Sequence, residues 1–186
     1  MIRRLYEIIS LAILFSFSMP LAPNWDCDGD DSLDNFNIFQ NNGSITLVVF
    51  SDGLNVTSQG DQLAAFIDDE LRGVGAITEV PDFAPVFGEW AGTNQFATLI
   101  YSNEVSGESI IFKFYDSETD TVYDISETID FISDMTLGTA NSPTILNVSE
   151  ISSDPCVDCD GNDCASAADG GACDDEDADD VCDDID

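Results

Sequence analysis

Through the middle of this chain, apolar residues recur at every second position. Ile110, Phe112 and Phe114 fall to one side of residues 110 to 115, with Lys113 on the other. Ile45, Leu47 and Val49 repeat the arrangement. A period of two belongs to a strand with one buried face, because successive side chains point to opposite sides. No ten-residue helical pattern interrupts it. Strands are expected over residues 44–50, 62–67, 71–77, 96–101, 110–115, 121–124, 128–132 and 144–148. Asp68-Asp69-Glu70 would make one hairpin turn, and Ser117-Glu118-Thr119-Asp120 another. Seven or eight short strands at this spacing predict an all-β fold, a single antiparallel β-sandwich over residues 36 to 150. About 115 residues is enough chain to enclose one core. Phe50, Phe66, Phe96, Phe112 and Phe114 are its expected large residues.

The ends have a different chemistry. Residues 23–35 and 151–186 are rich in Asp, and all six cysteines lie there: Cys27, Cys156, Cys159, Cys164, Cys173 and Cys182. Three stretches place oxygen-bearing side chains at positions 1, 3, 5, 9 and 12 of a twelve-residue loop. They are Asp26-Asp28-Asp30-Asp34-Asn37, Asp158-Asp160-Asn162-Ser166-Asp169 and Asp175-Asp177-Asp179-Asp183-Asp186. This is the ligand spacing of a calcium loop, in which a hard cation gathers about six to eight oxygens. Position 6, where such loops take Gly, is Asp31, Asp163 and Asp180, and position 12 is Asn or Asp rather than a bidentate Glu. Affinity in the ~10⁻⁴–10⁻³ M range is therefore expected. The C-terminal segment has almost no large apolar residues, so ions and disulfides must supply its order.

Composition narrows the function. The chain holds 38 acidic residues, 4 basic residues and no His, for a net charge of −34. Arg3 and Arg4 precede an apolar run at residues 8 to 17. Residues 1–22 therefore read as a secretory signal peptide, the run being short for a membrane span. Once that segment is removed, the cations are Arg72 and Lys113. Nucleic-acid binding and attachment to an anionic membrane are then excluded as expectations, since both rest on Lys and Arg. Histidine chemistry is absent. In a secreted chain the cysteines read as disulfides, with 15 pairings open. Cys156-x-x-Cys159 has no second CxxC to make a zinc site.

The last loop, DEDADDVCDDID at residues 175–186, resembles the thrombospondin type 3 repeat and, less closely, the dockerin loop. The resemblance implies calcium-ligand roles for Asp175, Asp177, Asp179, Asp183 and Asp186. Cys182, one residue before Asp183, is a feature of those repeats, where it tends to pair with a later repeat. The sequence departs from the family at Asp180, where Gly is usual. Residues 60–66, GDQLAAF, with Arg72-Gly73-Val74, look like a β-sandwich module of secreted multidomain bacterial surface proteins, which implies no chemistry.

The expected function is a non-catalytic calcium-binding structural or adhesion module, secreted or on the cell surface, with Ca²⁺ as its cofactor. The adhesion role is what the resemblance implies. A chain stopping at Asp186, directly after a ligand position, reads as part of a longer multi-module protein. The alternative is a carbohydrate-binding module, with Trp25, Trp90 and Tyr101 as candidate platforms for an extracellular glycan. Glycoside hydrolysis by Asp68, Asp69, Glu70 and Glu89 is a third reading, and it requires two carboxylates converging in a cleft. Asn42, Asn55 and Asn147 head N-x-Ser/Thr triplets.

Overall fold

The computed structural model describes residues 22–152; the signal segment and the two C-terminal calcium-type loops lie outside the described residues. Ten strands organise the rest: β1 (Asn41–Ser51), β2 (Leu54–Asn55), β3 (Gln62–Ile67), β4 (Glu70–Glu79), β5 (Asn94–Ser102), β6 (Ser106–Asp116), β7 (Thr121–Ile125), β8 (Ile129–Ile132), β9 (Thr136–Leu137) and β10 (Thr144–Ile151). Each of the eight expected strands is there, most of them longer than the alternation marks. The helical turns among the described residues are short: Phe36–Ile38, Ala84–Phe87 and Gly88–Trp90.

The fold is all-β, but the expected sandwich is a closed barrel. Its seven staves run β1-β5-β4-β3-β6-β7-β10, and β10 pairs back to β1. Six contacts are antiparallel. The closing one is parallel, with Leu47, Val48, Val49 and Phe50 beside Thr144, Ile145, Leu146 and Asn147. The departure from a wholly antiparallel sandwich arises in β1 and β6. Each is 11 residues long and takes two partners along one side. On β6, β8 pairs near Ser106–Ile110 and β7 pairs with residues 113–116. On β1, β9 pairs with Ser44 and Ile45 before β10 takes over at Leu47. Long bent strands shared in this way wrap one sheet round on itself.

The alternation sorts the core correctly. Ile45, Leu47, Val49, Leu63, Ala65, Ile67, Phe96, Ile100, Ile110, Phe112, Phe114, Phe131 and Leu146 fill the barrel. Burying a side chain of this size stabilises by about 1.5–3 kcal/mol. Phe96 and Phe114 meet edge to face at 6.3 Å. Phe50 is only half-buried, since it falls in the outward phase of β1.

A second cluster lies on the outside. Trp25 and Leu33, from the segment that precedes β1, cover Ala64, Phe66, Leu71, Val74, Tyr115 and Val122. Strand β3 is therefore buried on both faces, which is why QLAAFI reads as a nearly continuous apolar run. Opposite it, β4 carries a bulge: Ala65 pairs with Gly73 and Phe66 with Leu71, leaving Arg72 as the extra residue. The bulge re-aims the Arg72 side chain. Its guanidinium reaches Glu70 at 2.9 Å and the Tyr101 carbonyl at 3.4 Å, and it lies 4.7 Å from the centre of the Phe39 ring. Gly73 must stay glycine here, because a Cβ would stand 2.4 Å from the Leu99 carbonyl oxygen.

Candidate metal centre

The first acidic loop begins beside the buried Trp25 and returns to the barrel at the buried Leu33. Between them the chain folds over the Asp26 carboxylate. Oδ1 of Asp26 accepts the amides of Gly29 at 2.8 Å and Asp30 at 3.3 Å, and Oδ2 accepts that of Asp31 at 2.7 Å. The Asp30 amide also donates to Asp28 Oδ1 at 3.2 Å, and the Cys27 amide to Asp34 Oδ2 at 3.1 Å. The curl needs left-handed backbone at two places. Gly29 supplies one, at φ 73°. Asp31 supplies the other at φ 60°, in the position where calcium loops take glycine.

Three of the expected ligands converge. Carboxylate oxygens of Asp26, Asp28 and Asp34, at positions 1, 3 and 9, all lie within 4.8 Å of one another. Asp30 contributes its amide rather than its carboxylate to this group. Asn37 sits exposed in the turn Phe36–Ile38. Asp158, Asp160, Asn162 and Asp169 lie outside the described residues, as do Asp175, Asp177, Asp179, Asp183 and Asp186. The crowding shows in the protonation of Asp28. Its carboxyl is raised above the usual value, first by desolvation and then by the neighbouring charges of Asp30, Asp34 and Asp26. Each carboxylate offers about four lone-pair directions, so the amides that Asp26 binds leave acceptor capacity facing its neighbours.

Sequence spacing singles out the three converging carboxylates but not the buried residues on which their loop is anchored. Trp25 stands edge to face with Phe66 at 6.3 Å and is fully buried. The signal was a single large apolar residue on each side of the acidic run.

The other candidate chemistries are dispersed. Trp25 offers no face to a sugar. Tyr101 packs against Phe36 at 5.8 Å and Phe39 at 6.4 Å, while Trp90 stands elsewhere, against Phe50 at 6.3 Å. Asp68, Asp69 and Glu70 are exposed on the β3–β4 turn, with Glu70 held by Arg72, and Glu89 lies in the separate turn Gly88–Trp90. A cleft of about 290 Å³ opens between the acidic loop and the outer faces of β1, β4 and β5. Small residues such as Ser44, Thr46, Ala76 and Ala97 line it, and Asp31 is its one titratable side chain. The side chains of two N-x-Ser/Thr asparagines are engaged: Asn55 Oδ1 accepts the Thr57 amide at 3.0 Å, and Asn147 Nδ2 donates to Glu127 at 2.6 Å. No family model, curated protein or solved structure matches the chain.

Proposed function

We propose that this chain is a non-catalytic calcium-binding structural module of the extracellular surface, with the loop of residues 26–37 as one of its cation sites. The observation that carries the reading is the convergence of Asp26, Asp28 and Asp34 on a loop pinned by the buried Trp25 just before it and the buried Leu33 within it. Two carboxylates ~4 Å apart repel by about 1 kcal/mol even at the dielectric of water, and more where solvent is partly excluded. A divalent ion turns that repulsion into attraction. Asp26 already accepts amides of its own loop, so the curl persists without the ion and the ion binds to a formed cradle. The loops at residues 158–169 and 175–186 repeat the spacing, and on this reading they take calcium as well. The adhesion role and the export of the chain rest on the resemblance and on the N-terminal segment described above.

Trp25 gives the test a reporter, because its indole adjoins Asp26. Terbium takes calcium-type oxygen sites and emits when a nearby indole is excited. The expected result is saturable terbium emission that calcium displaces, that Asp28→Ala weakens at least tenfold, and that Trp25→Phe abolishes. Emission indifferent to Asp28→Ala, or no calcium competition at millimolar concentration, would overturn the reading.

A further inference from the structure

Between β4 and β5, every residue from Pro81 to Trp90 is exposed or half-buried, although most of them are apolar. Phe83 is 54% exposed and Val86 52%. The loop is closed at its base. The Val80 amide donates to the Thr93 carbonyl at 2.8 Å, and the Gly92 amide to the Val80 carbonyl at 3.0 Å. Within it, the Val86 and Phe87 amides both donate to the Phe83 carbonyl, at 2.9 and 3.1 Å, while Pro81 and Pro85 fix their own φ. Leu47 of β1 lies beside Phe96, so the last residues of β1 run past the start of β5 and along this loop. Phe50 meets Trp90 there. Beyond it the chain turns through Asp52 and Gly53 into Leu54, which is 70% exposed. Leu54, Phe83 and Val86 therefore stand out from one end of the barrel, around the Phe50–Trp90 pair. The charges beside them have one sign: Asp52, Glu79, Asp82 and Glu89 are all exposed. Among the described residues the cations are Arg72 and Lys113, held by Glu70 on the same strand and by Asp124 on the neighbouring one.

We propose that this end of the barrel docks a polypeptide partner, through a segment that carries large apolar side chains flanked by Lys or Arg. Clustered exposed apolar groups with a polar rim mark interaction sites. The loop that presents them is already shaped by its own hydrogen bonds, so docking orders little on this side. Charge selects the occupant. A second copy of the chain would bring acid against acid, with its two described cations already engaged. An anionic bilayer meets the same repulsion. A basic apolar segment satisfies both the knobs and the rim. No residue of the acidic loop 26–37 belongs to this surface, so the proposal stands apart from the calcium reading.

The experiment selects random short peptides, displayed on phage, against the full chain. The enriched sequences should combine large apolar residues with Lys or Arg. A synthetic peptide taken from them should bind the chain with an affinity that falls as salt rises. Joint Phe83→Ser and Val86→Ser substitution should weaken that peptide about tenfold or more. Joint Asp82→Asn and Glu89→Gln substitution should weaken it less, and should flatten the salt dependence. Leu99→Ser, at an exposed position on the outer face of β5, should leave binding unchanged. All these side chains stand in solvent, and the urea midpoint of each variant verifies that the barrel is intact. No enrichment, enriched peptides without basic residues, or binding that survives the Phe83 and Val86 changes overturns the proposal. So does self-association of the chain, or its partition onto neutral phosphatidylcholine vesicles, if those two changes abolish it.

Discussion

Asp68 and Asp69 carry φ values of 50° and 64° in the two-residue turn between β3 and β4. Positive φ at both central positions defines the type I′ hairpin turn, whose preferred sequences end in Gly. Left-handed backbone costs an ordinary side chain about 1–2 kcal/mol, against about 0.5–1 kcal/mol for the extra freedom of Gly. Asp69→Gly should therefore raise stability by about 0.5–1 kcal/mol, read as a higher urea midpoint at unchanged slope. Asp69→Asn, which removes the charge alone, should give less than half of that gain. Equal gains would trace the effect to charge rather than backbone. A turn is legible at these residues, but its strain is not, since Asp-Asp resembles none of the usual glycine turns. Residue identity was more informative in the core. Phe66, Phe96, Phe112 and Phe114 are all buried, as alternation required.

Pairs of elements are held by polar clamps that no periodicity announces. Glu127, between β7 and β8, accepts the Asn147 backbone amide and the Asn147 side chain, each at 2.6 Å, and so fastens β10 to that loop. Desolvation pushes the Glu127 carboxyl upward as the largest single influence. The hydrogen bonds from Asn147, with that of Ser126, together outweigh it and hold the carboxyl below the usual Glu value. A depressed carboxylate contributes stability above its unfolded pKa and loses it as pH falls through the folded one. Glu127→Gln should cost about 1 kcal/mol at pH 7, the low end for a charged acceptor because the clamp is partly solvated. The difference in urea midpoint between the wild type and this variant should shrink as pH drops below ~4. A pH-independent difference would mean that the charge is not what holds the clamp. Strand β4 makes the same point about legibility. Its five consecutive buried residues, Leu71 to Gly75, break the alternation because the bulge at Arg72 shifts the pleat and the entry segment covers the outer face. Both causes lie outside the strand itself.

At the scale of the molecule, strand number and composition gave an all-β chain but not its closure. Alternation reports which face of a strand is buried, whereas barrel and sandwich differ in which strands are neighbours. Here that choice is made by the pairing of the first long strand with the last, between residues about a hundred positions apart. The candidate metal centre was legible for the opposite reason. Its carboxylates are local, so spacing within a dozen residues was enough to mark Asp26, Asp28 and Asp34, whose oxygens converge.

The parallel contact between β1 and β10 has a mechanical meaning. When the chain is pulled from its two ends, parallel terminal strands slide lengthwise past each other, and their hydrogen bonds must break together rather than one after another. A barrel loaded in this way should resist with a high, sharp rupture force. In single-molecule extension the barrel should unfold in one cooperative lengthening step. A series of small steps would mean that the strands peel instead of shear.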